Sequence, residues 1–373
     1  MPSSSTPRRR RWLVAVPLIA VLVLAAAWSG FWLYAVWRSE EMLTAWRVRE
    51  AQAGRTYSCG RQTMGGFPFR FELSCNDASA EFASNNPRVA FKAANLHVVA
   101  QVYDPSLMIA ELGAPLTIAI SGEAPVRASW TLLQISLRGR PPAPERVSMV
   151  MDGASVEPAA GGAAETVLGA KRIELHGRVA SGTVASRPVI DLAATLTELT
   201  APTLHPMTRK PLDITATGVL RGLDNLRPMP IPARLRQLQA AGGRLEVKQA
   251  RVRQGDMIAV AAGSLGLTSS GRLDGELNVT IAGLDRVLPL LGIDQLVPQN
   301  NNLAPALGAL DRLVPGLGRA ARGQAGAGLA MGLSLIGKPA ELDGRKALTL
   351  PLRFVGGAIY LGPLRVGEIA PLF

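Results

Sequence analysis

Two regimes of hydrophobic patterning divide the chain. From Trp12 to Trp37, "WLVAVPLIAVLVLAAAWSGFWLYAVW", 26 consecutive residues carry no charge. A helix needs about 20 apolar residues to cross the hydrocarbon core of a bilayer, so this run predicts one transmembrane helix. Trp12 at one end, with Trp32, Tyr34 and Trp37 at the other, matches an interfacial aromatic belt. Beyond the run, apolar residues recur at every second position in short rows. In "KRIELHGRV", Ile173 and Leu175 alternate with Arg172, Glu174 and His176. The same holds for Leu245 and Val247, for Leu277, Val279 and Ile281, and for Leu348, Leu350, Leu352 and Phe354. Period two with one wet face is the pattern of half-buried antiparallel strands. Pro351 cannot donate to a ladder, so it predicts an edge or a bulge. Turns such as "SSGR" and "LDGE" separate many of the rows.

Helical periodicity is confined to a few places. Residues 38–54, with Met42, Leu43 and Trp46, continue the membrane helix outward as a juxtamembrane segment. "IPARLRQLQAAGG" reads as a short helix stopped by Gly242. Leu303, Leu307, Leu310, Val314, Leu317 and Ala321 form an amphipathic stripe that Pro315 must break or kink. That stripe covers one face of the sheet; the alternative is a helix lying in a membrane interface. "PPAPERV" and "EPAAGGAAE" are loops and give no firm domain boundary. The expected architecture is mainly β: a long curved antiparallel sheet, groove- or taco-like, with a few packing helices and one N-terminal transmembrane helix. It divides into a basic tail (1–11), the transmembrane helix (12–37), the juxtamembrane helix (38–54) and a β-rich domain (55–373).

The chain has only two cysteines, Cys59 and Cys75. They are centred on Phe67, so an antiparallel hairpin turning at Gly65, Gly66 and Phe67 would set them opposite one another. Phe67, Phe69, Phe71, Leu73 and Cys75 share one parity, with Pro68, Arg70, Glu72 and Ser74 on the other. Cys75 is therefore expected to point inward and to bridge Cys59 in an oxidising compartment; two buried free thiols are the alternative. Two cysteines and the dispersed His97, His176 and His205 supply no metal-ligand spacing, and no CxxC is present.

The net charge of +12 includes Arg8, Arg9, Arg10 and Arg11 ahead of the apolar run, with Arg38, Arg47 and Arg49 after it. That bias favours a cytoplasmic N-terminus and a single-pass anchor, with the residues from about 40 onward outside the cytoplasm. The alternative is a signal peptide cleaved after "AAA" at Ala25–Ala27; the apolar run continues through Phe31, Trp32, Leu33 and Tyr34, which favours an uncleaved anchor. No basic stripe, RNP-like segment or zinc-finger spacing points to nucleic acid. No GxSxG, HExxH, Walker or EF-hand motif occurs, so no catalytic residue, cofactor site or metal site is assigned.

"YSCG" followed by "GGFPFRFELSC", with the tail "RFVGGAIYLGPLRVG", resembles the alphaproteobacterial envelope family known as domain of unknown function 2125. The hairpin residues Gly65, Gly66, Phe67, Pro68, Phe69 and Arg70 carry the most specific part of that resemblance, which implies an inner-membrane anchor and a periplasmic bulk but no activity or catalytic residues. More distantly, "AAGSLGLTSSGRLDGELNVTIAGL" is similar to strand–turn–strand passages of AsmA-like envelope proteins, which implies a curved sheet involved in lipid movement. The leading expectation is a non-enzymatic envelope protein that binds or guides lipids or another amphipathic component in an apolar β-groove. The alternatives are a scaffold recruiting an envelope protein through a sheet edge or basic face, and an enzyme of unrecognised type.

Overall fold

A computed structural model of the chain describes residues 9–85, 87–139, 144–159, 166–204, 206–227, 229–283, 337–361 and 364–373. Helix α1 (Arg9–Gln52) is one unbroken 44-residue helix that includes Pro17, so the juxtamembrane segment continues the apolar one without a break. From Ala15 onward it is long and apolar enough to cross a membrane, and its most apolar window is only 6% buried within the protein. Gly54, at φ 75, ends the helix and turns the chain into the sheet.

The rest is one antiparallel sheet of 17 strands. Its first half contains β1 (Arg55–Gly65), β2 (Arg70–Phe82), β3 (Val89–Gln101), β4 (Leu107–Ile120), β5 (Val126–Ser129), β6 (Leu132–Arg138), β7 (Arg146–Pro158) and β8 (Leu168–Thr183). Its second half contains β9 (Ser186–Leu199), β10 (Leu212–Arg221), β11 (Arg244–Gln254), β12 (Met257–Leu267), β13 (Leu273–Ala282), β14 (Lys338–Leu342), β15 (Arg345–Val355), β16 (Ala358–Leu361) and β17 (Leu364–Glu368). Each strand pairs with its sequence neighbour, so the sheet is a meander, with two local variations. The short β5 and β6 share the place between β4 and β7. On β15, β13 lies along one side, while β14 and β16 share the other. The β14 pairing ends at Thr349 and the β16 pairing begins at Leu352, so on that side Pro351 falls in a gap without a ladder partner, while it faces Asn278 of β13 on the other. The expected edge-like position of this proline is thus met inside the sheet.

The sheet runs without interruption through the loops near Pro141 and Pro158, and Pro158 itself is the last residue of β7, paired with Val126. Helix α2 (Ile231–Ala240) ends where Gly242 takes φ 63 and Gly243 donates its N–H to the Leu238 carbonyl at 2.7 Å. Leu238 then packs against Ile190 and Leu223. A 3-10 turn at Pro206–Arg209 places Met207 against the buried Met257 and Ile281. The stripe expected over Leu303–Ala321, and His205, lie outside the described residues.

Candidate functional surface

Residues paired directly across strands share a face of the sheet, so the ladder register shows what each face presents. One row starts with Met64 facing Leu73, then Val98, Ala110, Ile135 and Met149. It continues through Leu175, Ala194, Ala216, Ala250, Ala261, Val279 and Leu350. Thirteen strands contribute and every residue is apolar. The row two positions nearer the 66–69 turn is Phe71, Ala100, Met108, Leu137, Val147, Gly177 and Leu192. It ends with Gly218, Val247, Gly263, Leu277, Leu352 and Leu361. On the other side of the first row, Leu133, Met151, Ile173, Leu196, Ile214, Val252, Ala259, Ile281 and Leu348 complete a third.

The opposite face differs in kind. Between the first and third apolar rows, the residues are Thr63, Ser74, His97, Glu111, Gln134, Val150 and Glu174. Thr195, Thr215, Arg251, Val260, Thr280 and Thr349 follow. This face is held by polar ladders: Gln134 donates to Glu111 at 3.0 Å, Arg172 to Asp152 at 2.9 Å and Arg178 to Asp191 at 2.8 Å. Hydrogen bonding by Arg172 holds the Glu174 carboxyl below the usual carboxylate range. Asp213 is lowered too, first by the Glu198 backbone N–H at 3.0 Å and then by Arg253 at 2.9 Å. A shallow hollow of about 400 Å³ beside Ser148, His176, Thr217 and Lys248 lies on this polar face. Among the described residues no group of three or more His, Cys, Asp or Glu is placed to hold a metal.

The apolar face is covered at separate places. Helix α1 lies on its first strands: Trp46 stacks on Tyr57 at 4.8 Å, Arg47 donates to Gln62 at 2.6 Å and Trp32 stacks on Phe71 at 6.5 Å. Burial of the Tyr57 phenol raises its pKa. Helix α2 and the 206–209 turn cover patches between β8 and β13. Between these covers, Val147, Leu175 and Leu192 stay 37–42% exposed on the apolar face.

Cys59 and Cys75 form a disulfide with Cα atoms 5.6 Å apart, and Cys75 is 5% exposed. The hairpin register is not the expected one. Cys59 pairs with Ala78 and Cys75 with Gln62, which shifts the turn to residues 66–69. The two cysteines still meet because alternation slips on both strands: Gly60 and Arg61 both face outward, as do Asn76 and Asp77, with Asp77 at φ 53. The apolar face therefore passes from Gln62 and Cys75 directly to Cys59 and Ala78, and the bridge is diagonal. Phe71, Leu73 and Cys75 point inward as expected, but Phe67 and Phe69 do not belong to that strand face. β1 runs on through Gly65 and the bend begins at Gly66, at φ 98, so both rings sit in the turn, 55% and 61% exposed. Phe67 meets Trp32 edge-on at 5.3 Å and Phe69 lies 6.2 Å from Trp28. The Trp28 indole N–H donates to the Pro68 carbonyl at 2.9 Å, and Arg70 pairs with Glu72. The sequence pattern places Trp32 at a membrane boundary and the phenylalanines in a strand. It does not join them, although two aromatic clusters about 35 residues apart are the available signal.

A model of the family described as an uncharacterized protein conserved in bacteria, DUF2125, matches residues 32–370. The chain belongs to that family. The DUF2125 match begins at Trp32, so it takes in the hairpin, the whole sheet and the stem of α1 but leaves most of the apolar helix outside. No curated protein and no solved structure gives a match.

Proposed function

We propose that this DUF2125 chain is a non-enzymatic protein of the bacterial envelope, anchored in the inner membrane by α1, with its N-terminus cytoplasmic and its sheet in the periplasm. On this reading the apolar face carries the acyl chains of lipids, or of another amphipathic envelope component, away from the membrane.

The observation that carries the reading is the continuity of the apolar rows. An exposed contiguous apolar surface in water marks an interaction site, and here it begins at Phe71, against Trp32 of the membrane helix. The rows stay apolar to β15; Val147, Leu175 and Leu192 are open to solvent, whereas Leu133, Leu277, Ile281 and Leu350 are buried. A stacking of 13 strands about 4.8 Å apart gives a track roughly 60 Å long. The absence of catalytic motifs from the sequence supports a binding role. The disulfide between Cys59 and Cys75 supports an oxidising compartment.

The test is lipid analysis of the full chain extracted in polymer-bounded discs and then exchanged into lipid-free detergent. Retained phospholipid that is lost in Leu175→Asp but kept in Thr195→Asp, on the polar face, is the expected result. Protein that retains no lipid in either variant or in the parent contradicts the reading. A second reading, recruitment of an envelope protein by strand addition, is favoured by β17, which pairs only with β16 among the described residues.

A further inference from the structure

We infer that the turn at residues 66–69 and the neighbouring β3–β4 loop are inserted in the bilayer crossed by α1, as an aromatic wedge in the leaflet on the side of the sheet. The inference rests on α1 spanning the membrane and not on lipid passing along the apolar face.

Depth comes first. From Trp12 to Trp32 is 20 residues, or about 30 Å of helix, which is the thickness of a hydrocarbon core. Trp28 lies one helical turn inside that span, and its indole N–H holds the Pro68 carbonyl at 2.9 Å. The turn is thereby fixed at the level of the outer hydrocarbon boundary.

The exposed large hydrophobic side chains fit that level, with Arg70 paired to Glu72 and Asp104 accepting from the Ser106 hydroxyl. Among the described residues from β1 to β5, three large hydrophobic side chains are classed as exposed: Phe67 at 55%, Phe69 at 61% and Tyr103 at 71%. All three lie at this one end of the strands. The two loops are joined, because the Val102 N–H donates to the Phe69 carbonyl at 2.9 Å. At the opposite end the β4–β5 connection reads Ser121, Gly122, Glu123, Ala124 and Pro125, with no aromatic residue. Arg70, at the inner boundary of the turn, has a side chain long enough to reach headgroups.

Four carbonyls of the turn are satisfied as well. In hydrocarbon an unpaired carbonyl or N–H is costly, so inserted turns must satisfy their own polar groups. The Gly66 carbonyl accepts from the Arg70 N–H at 3.0 Å, and the Phe69 carbonyl from Val102. The Pro68 and Arg70 carbonyls accept from the indoles of Trp28 and Trp32, at 2.9 and 3.3 Å. Pro68 has no N–H to satisfy. A water-exposed turn would need none of these donors from a membrane helix.

The experiment uses the full chain in nanodiscs of phosphatidylethanolamine and phosphatidylglycerol, with a fluorescent amino acid replacing one residue at a time. Phe69 and Tyr103 are the test positions, Leu22 marks the middle of the Trp12–Trp32 span and Glu123 the opposite end of the sheet. At both test positions, emission is expected to be quenched by lipids carrying a nitroxide near the headgroup and left unchanged by aqueous iodide; Glu123 should show the reverse. Iodide quenching at both test positions with Leu22 protected overturns the inference while leaving the anchor intact. Iodide quenching at Leu22 removes the anchor and the inference together. Should a labelled variant misfold, a membrane-dissolved carbene probe applied to the unaltered protein replaces it. Adducts on the peptides containing Phe67–Phe69 and Tyr103 support insertion, and adducts confined to α1 exclude it.

Discussion

Gly66 sits at φ 98, with the Arg70 carbonyl oxygen 2.5 Å from where a Cβ would lie. No other residue fits that position without moving the strand end. Gly66→Ala is therefore expected to destabilise the hairpin by about 1–3 kcal/mol, seen as faster proteolysis between β1 and β2; an unchanged cleavage rate would refute this. The Cys59–Cys75 bridge closes a loop of 16 residues, for which chain entropy gives about 3 kcal/mol. Replacing both cysteines with serine should lower the denaturant midpoint accordingly, and a midpoint insensitive to the change would show that the hairpin holds without sulfur. The inward direction of Cys75 is readable from parity, and the bridge to Cys59 forms as expected although the register from which it was expected does not. The register is not readable, because the doubled outward residues at Gly60–Arg61 and Asn76–Asp77 leave no mark in a hydrophobic pattern.

Among the elements, strands were the most legible. Ile173 and Leu175, Leu277, Val279 and Ile281, and Leu348, Leu350, Leu352 and Phe354 lie on the apolar face, because a half-buried strand leaves its alternation in the sequence. Helix α2 was legible from its capping glycine. Its Leu238, 9% exposed against Ile190 and Leu223, should cost about 2–3 kcal/mol when cut back to alanine; calorimetry of the Leu238→Ala variant checks it. The polar face contributes to the acid response. Asp213 and Glu174 have carboxyls lowered in the fold, so their contribution is present above the unfolded value near pH 4 and is lost as pH falls through their lower folded values. The thermal midpoint should drop below about pH 4, and Asp213→Asn should shallow that drop; a midpoint flat to lower pH would show these pairs to be inert. Both groups are close to solvent, so added salt should weaken the effect.

At the scale of the whole molecule, what matters is a relation no single segment contains. Each strand announces its own apolar side, yet only the 12 successive registers joining 13 strands turn those sides into one continuous apolar face leading from Trp32. A shift of one residue at any ladder would send the next strand's apolar side to the wrong face, so continuity across the sheet is a property of the pairing and not of local pattern. The docking of the 66–69 turn on Trp28 and Trp32 is likewise a long-range contact. The measurement that bears most directly on this account is a photo-crosslinking scan of the full chain in native membranes. A benzoylphenylalanine is placed in turn at Leu73, Ile135, Leu175 and Leu277 on one face, and at Ser74, Gln134, Glu174 and Asn278 on the other. Phospholipid adducts at the first set, extending past Leu175, with none at the second, are expected. Adducts absent from the first set, or equal on both faces, would contradict it.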